Sequence, residues 1–229
     1  MLYLGRVEME YRKQHTITAL TPQKKKPWQT SIFIDGEFWR SCNAETVVDL
    51  GLYENMQLDT CEYERLAYSL DKRHAFDRAV LLLSYRARSS HEICERLKQA
   101  GFSENTITDV ISSLKRLGYI DDSAFSRSWA KSRMTSKLYG SKKIMQELKD
   151  KGIREEIIND VLADLETNET ELDRARLLAI KRLPSLKGVD KETAFRRLGQ
   201  FLIRRGYSGS IVYEVCNAAL QSDDGDYAL

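Results

Sequence analysis

The sequence predicts a mainly α-helical protein: three tandem three-helix repeats forming an elongated curved array, preceded by a small β-rich N-terminal module. Three observations carry this expectation. From about Glu62 onward apolar residues fall at helical spacing, and a single proline, Pro184, interrupts them. Within that stretch one pattern of apolar residues recurs three times around Gly101, Gly152 and Gly206. Residues 16–59 instead set β-branched and aromatic runs between turn residues.

The N-terminal module is assigned to residues 1–61. Thr16 to Leu20 is a short β-prone run that ends at Thr21-Pro22. Lys24 to Lys26, closed by Pro27, reads either as a solvated loop or as a nucleic-acid contact. Trp28 to Ile34 and Glu37 to Arg40 flank Asp35-Gly36, a hairpin signal, since a type I′ turn needs positive φ at both central residues. Asn43 is placed to cap a short helix through Val47, Val48 and Leu50, stopped by Gly51.

The repeat is read by counting from its three glycines, which lie 51 and 54 residues apart. Position −8 is Ile93, Ile144 and Leu198, and position −4 is Leu97, Leu148 and Leu202. Position +1 is Phe102, Ile153 and Tyr207, and positions +6, +9, +10 and +13 are also apolar in every copy. Each unit reads helix–turn–helix–turn–helix, divided as 62–121 with a leading linker helix, 122–170 and 171–220. In the first, helix one covers Phe76 to Arg86. Helix two opens at Ser89-Ser90-His91-Glu92, where serine and glutamate can satisfy each other's amides, and ends at Gly101. Helix three runs from about Asn105 to Leu117. One triplet buries little apolar surface alone, whereas stacked triplets share faces and leave a long concave surface suited to a polymer or filament.

Composition narrows the function classes. Hydrophobic residues make up 42% and charged residues 31% of 229, and the longest apolar run, Ala79 to Leu83, is too short to span a bilayer. Glu8, Glu10, Arg12 and Lys13 do not form the hydrophobic core of a secretory signal. Cys42, Cys61, Cys94 and Cys216 are too scattered for a zinc site and fit a reducing cytosol. No metal site or membrane partner is therefore expected, and the location expected is the cytoplasm. The acidic tail, Asp223-Asp224-Gly225-Asp226, is expected to be disordered.

Charge is uneven along the chain. The 36 basic and 34 acidic residues leave only +2, yet residues 123–151 carry eight basic and two acidic side chains, and 171–213 carry ten and four. Such stretches suit phosphate or an acidic protein surface, or simply a solvated helix face. The helix-two starts differ in an informative way. The first and third units open with Glu92 and with Asp190 and Glu192, which complement the helix dipole. The second opens Gly140-Ser141-Lys142-Lys143, with cations costing roughly 0.3–1 kcal/mol each there. Free amides and ammonium groups together would make an anion site. Arg127, Lys131, Arg133 and Lys137 extend this surface along the preceding helix. Asp122 is read as an N-cap ahead of Phe125, Trp129 and Met134, and Trp129 as core.

Three motifs bring a family into view. The first unit carries Arg86-Ala87-Arg88-Ser89 and ends Leu117-Gly118-Tyr119-Ile120-Asp121-Asp122. The second carries Gly140-x-x-x-Ile144-x-x-Glu147-Leu148. Over about residues 72–220 the chain resembles the bacterial RecX family of regulatory proteins, modulators of the RecA recombinase. Residues 1–60 are similar to the N-terminal extension of its longer members. The resemblance implies a three-repeat cytoplasmic monomer that binds RecA and its nucleoprotein filament, touches single- or double-stranded DNA with modest affinity, and mostly inhibits recombinase, ATPase and co-protease activities. It implies no cofactor and no catalysis of its own. The expected DNA- or RecA-binding set is Arg86, Arg88, Arg127, Lys131, Arg133, Lys137, Lys142, Lys143, Arg204 and Arg205. An enzyme is not expected: no P-loop, G-x-S-x-G, H-E-x-x-H or G-x-G-x-x-G is present. The competing reading is a stand-alone helical DNA-binding protein that acts by occupying DNA.

Overall fold

Four antiparallel strands open the computed structural model, which describes residues 14–166 and 171–221; the acidic tail lies outside the described residues. They are β1 (His15–Gln23), β2 (Lys26–Ile34), β3 (Glu37–Asn43) and β4 (Gln57–Leu58), in the order β3-β2-β1-β4. The Asp-Gly hairpin joins β2 to β3, with φ of 53° at Asp35 and 86° at Gly36. Asp35 is fixed there from β1: its carboxylate accepts from the Thr16 N–H at 2.9 Å and lies 2.7 Å from His15 Nδ1.

The strands are longer than the propensity runs that predict them. β1 continues through Pro22, beside a register irregularity next to the turn, where a missing N–H costs little. Lys24 and Lys25 form a tight connection, with Gln23 paired to Lys26, the first residue of β2. β4 has no signal in the sequence; pairing to His15 and Thr16 creates it.

α1 (Ala44–Asp49) follows β3, but Asn43 does not cap it with its side chain. The Asn43 amide instead donates to Asp77 at 3.5 Å, because a tertiary acceptor competes successfully with the local one. Leu66 and Leu70 of α2 (Thr60–Tyr85) close the core over Ile17, Ile32, Ile34, Cys42, Leu52 and Leu58. The linker helix and helix one expected from Phe76 are thus one 26-residue helix. No glycine or proline breaks it, and Asp59 and Glu62 form a reciprocal capping box at its start, at 2.8 and 2.9 Å. Tyr68 and Lys72 of α2 both donate to Asp109 of α4 (Glu104–Arg116), each at 2.9 Å.

The described residues form two compact units, 14–80 with 100–110, and 81–99 with 111–166 and 171–221. The second contains α3 (Ser90–Gln99), α5 (Asp122–Lys137), α6 (Ser141–Asp150), α7 (Glu155–Glu166) and α8 (Glu171–Arg182). A 3₁₀ turn (Leu183–Leu186), α9 (Lys191–Arg204) and α10 (Gly209–Leu220) complete it. The repeated offsets are core positions. Ile93, Ile144 and Leu198, then Leu97, Leu148 and Leu202, are fully buried. Val161, Leu162 and Ile158 pack with Ile144 and Leu148, and Val212, Val215 and Cys216 pack with Leu198 and Leu202. Gly101, Gly152 and Gly206 have φ of 87°, 68° and 94°, the left-handed closure that ends helix two of each repeat. The longer gap around Pro184 is taken up by the 3₁₀ turn, which buries Leu183 and Leu186.

Candidate functional site

Successive helices two dock through one joint that is built twice. At the first, the predicted capping box forms: the Glu92 N–H donates to Ser89 Oγ at 3.1 Å and the Ser89 N–H to Glu92 at 3.3 Å. Ser89 Oγ–H then donates to the Lys151 carbonyl at 2.7 Å, and the Ser90 N–H and hydroxyl both donate to Asp122, at 2.8 and 2.6 Å. Gly152 lies so close under His91 that a Cβ there would meet the imidazole at 2.3 Å. At the second joint the Gly140 N–H donates to the Arg205 carbonyl at 2.9 Å and the Ser141 N–H to Glu171 at 2.7 Å. The Lys142 N–H donates to the Gly206 carbonyl at 3.2 Å, and a Cβ on Gly206 would meet the Lys143 backbone at 2.3 Å.

This corrects two expectations. The N-cap of α5 is Asp121, which accepts from Ser123 and Ala124 at 2.8 and 2.9 Å; Asp122 points back to cap α3. Burial pushes the Asp122 carboxyl up, but hydrogen bonds from Ser90 and the Lys115 ammonium outweigh this and hold it below its ordinary range. The amides at the start of α6 are also not open to a ligand. Glu171 and the end of α9 already take them, so the lysines alone present charge there.

Around the first joint the cations are spent internally. Glu92 receives Arg86 through both guanidinium nitrogens at 3.1 Å and Lys151 at 3.0 Å. Burial raises its pKa, and the hydrogen bonds and charges of Arg86 and Lys151 overcome that and bring it down to about 2. Lys151 also lies 4.2 Å from the centre of the Trp129 ring, and Arg133 lies 4.0 Å from it. The Trp129 indole N–H and Arg133 Nε both donate to Glu147, at 2.9 and 2.7 Å. Trp129 is therefore half-buried beside Phe125 with its N–H satisfied, not a free stacking platform.

The ten expected contact residues accordingly divide. Arg86 and Arg133 hold Glu92 and Glu147, Arg88 donates to the Leu82 carbonyl at 3.0 Å, and Arg127 pairs with Asp164 at 2.8 Å. The rest gather at the second joint, with Lys131 apart on α5. Arg205 donates to the Lys137 carbonyl at 3.2 Å and lies over Tyr139 and Phe201. Its neighbour Arg204 is exposed, and Lys142 and Lys143 abut Gly206. Among the described residues the side chains of Lys131, Lys137, Lys142, Lys143 and Arg204 meet no carboxylate. The joint thus brings cations from the two basic stretches together, and no metal-binding cluster stands among the described residues.

Known proteins share this arrangement of segments. Models of the regulatory protein RecX N-terminal domain and of the first, second and third RecX three-helix domains match residues 15–59, 75–114, 121–162 and 169–216. The regulatory protein RecX of Amycolatopsis mediterranei is 36% identical over 162 residues, 71% of this chain and 90% of that one. That of Clostridium acetobutylicum is 30% identical over 206 residues, 89% of this chain and 95% of its own. A crystal structure of regulatory protein RecX shares the fold, with a TM-score of 0.70 at 24% identity, covering 88% of this chain and 98% of the other. RecX from Lactobacillus salivarius superposes with a TM-score of 0.59 at 26% identity, covering 63% of this chain and 94% of its own. Matched in four consecutive segments and by relatives along nearly their full length, the chain belongs to the RecX family of regulatory proteins.

Proposed function

We propose that this protein binds a RecA-type recombinase in its filament on DNA and restrains strand exchange, ATP hydrolysis and co-protease activity, without catalysis of its own. The observation that carries the reading is membership of the RecX family across both the N-terminal module and all three helical repeats. The contact surface in this reading is the second joint, where Lys137, Lys142, Lys143 and Arg204 present charge that no carboxylate of the described residues neutralises. Its chemistry suits DNA phosphates in the filament groove or acidic side chains beside them. The protein acts in this reading as a cytoplasmic monomer with modest affinity for single- or double-stranded DNA.

Co-sedimentation with recombinase filaments on single-stranded DNA, run beside DNA alone across a salt series, tests the reading. Retention by filaments well above retention by bare DNA, with loss of ATP hydrolysis and strand exchange at or below equimolar protein, is the expected outcome. Equal retention with both activities intact would replace it with the stand-alone DNA-binder.

A further inference from the structure

The N-terminal module contains a cleft that the helical repeats do not explain. His15, Ile34, Asp35, Glu37, Phe38, Trp39 and Tyr63 line an open cavity of about 400 Å³. That is within the range of sites that take a side chain or small ligand. Its walls are preset. Tyr63 stacks on His15 with ring centres 4.4 Å apart and accepts the Trp39 indole N–H at 2.7 Å, while Asp35 is engaged by His15 and the Thr16 N–H. Two groups on the lip face solvent. Phe38, edge-on to Phe33 with ring centres 5.9 Å apart, is 60% exposed, and the exposed Glu37 carboxylate has no partner among the described residues.

The Arg40 guanidinium already lies 5.3 Å from the centre of the Trp39 ring and Tyr63 is stacked on His15, so Phe38 offers the exposed aromatic surface. Such a ring beside an unneutralised carboxylate suits a cation, through the ring quadrupole and a charge-assisted hydrogen bond. The planar guanidinium fits best, because it can stack on a ring and bond a carboxylate with two parallel N–H groups. Nucleic acid is a poor occupant: Asp35 and Glu37 would face its phosphates, and residues 1–70 carry ten acidic against eight basic side chains. We propose that this cleft is a docking site for an arginine side chain of a partner protein, with Glu37 and Phe38 as its contact residues. The site is built from residues of the N-terminal module and Tyr63, and its test does not depend on the recombinase reading.

The test uses the full chain, with backbone and indole N–H signals followed by NMR during titration with N-acetyl-arginine amide. Its uncharged counterpart, N-acetyl-citrulline amide, and a short single-stranded oligonucleotide serve as comparisons. Saturable shifts of the Trp39 indole and of residues 35–39 with the arginine probe alone are expected. Glu37→Gln should weaken binding roughly tenfold and Phe38→Ala about threefold, both with the rest of the spectrum intact because neither side chain is buried. No saturable shift with arginine, equal shifts with citrulline, or the same signals moved by the oligonucleotide would each overturn the proposal. Undiminished binding in both variants would also remove these residues from it.

Discussion

Glu171, at the first turn of α8, caps Ser141, at the first turn of α6, accepting its N–H at 2.7 Å. Asp122 does the same for Ser90 one repeat earlier, at 2.8 Å. In each case the opening of one repeat satisfies the exposed amide of the helix two before it, so the carboxylate joins neighbouring repeats while serving a local need. Removing it should therefore weaken the joint. Asp122→Ala and Glu171→Ala are each expected to cost about 1–2 kcal/mol. Glu171→Gln, which keeps an acceptor and loses only charge, should cost less. Urea unfolding checks the order, and equal losses for the alanine and glutamine variants would show that charge, not the hydrogen bond, carries the joint.

The two joint glycines offer a sharper comparison. Gly101, Gly152 and Gly206 share a left-handed backbone, so alanine at any of them brings similar local strain, of about 1–2 kcal/mol. Beyond that the sites differ: a Cβ on Gly101 meets nothing within 4 Å, whereas on Gly152 it meets His91 and on Gly206 the Lys143 backbone. The His91 atoms met are Cβ and Cγ, the root of its side chain, so at both joints backbone must shift. Loss of stability should be larger for Gly152→Ala and Gly206→Ala, each about 3 kcal/mol or more, than for Gly101→Ala. Comparable melting shifts for all three would mean that close docking contributes nothing beyond backbone strain.

Acid should loosen the first joint through Glu92. Its folded pKa of about 2 lies below the ordinary 4.5, held down by Arg86 and Lys151 against the effect of burial. The folded state therefore binds this proton less readily than the unfolded chain. Its stabilisation is complete above about pH 4.5 and is lost as the pH falls toward 2. With Arg86 half exposed, the contribution is of order 2 kcal/mol. Glu92→Gln should narrow the stability gap to the parent protein between pH 5.5 and 2.5; a gap independent of pH would exclude this carboxylate as its source.

Much of this fold is legible in the sequence because helical periodicity is local. Ile144, Leu148 and Val161 each stand where a 3.6-residue period puts a core face, and the stacked repeats keep it there. The Asp35-Gly36 turn and the Ser89–Glu92 box are legible for the same reason: both partners lie within a few residues. The joints are not. Ser90 meets Asp122 across 32 residues and Ser141 meets Glu171 across 30, with a different acid each time, so nothing periodic announces them. Arg133 illustrates the same limit at the candidate site. In sequence it is one more cation on a basic helix, one turn after Trp129, and only the fold brings Glu147 onto it.

That distinction gives the last prediction. Arg133→Ala should behave as a structural change: Glu147 loses a charged partner in a half-buried place and Trp129 loses a stacked guanidinium, at a cost of about 1–3 kcal/mol. Lys137, Lys142, Lys143 and Arg204 hold no carboxylate among the described residues, so replacing all four with alanine should leave folding nearly unchanged, with slight relief at the start of α6, whose first turn has no acid of its own. Binding to filaments on DNA should nevertheless weaken strongly. If all four meet phosphates, the slope of log K against log salt should fall by about 3, at 0.7–0.9 per contact. Weaker binding with the slope unchanged would place them against protein instead. An affinity equal to the parent's for both filament and bare DNA would remove the second joint from the contact surface, whatever the protein does there.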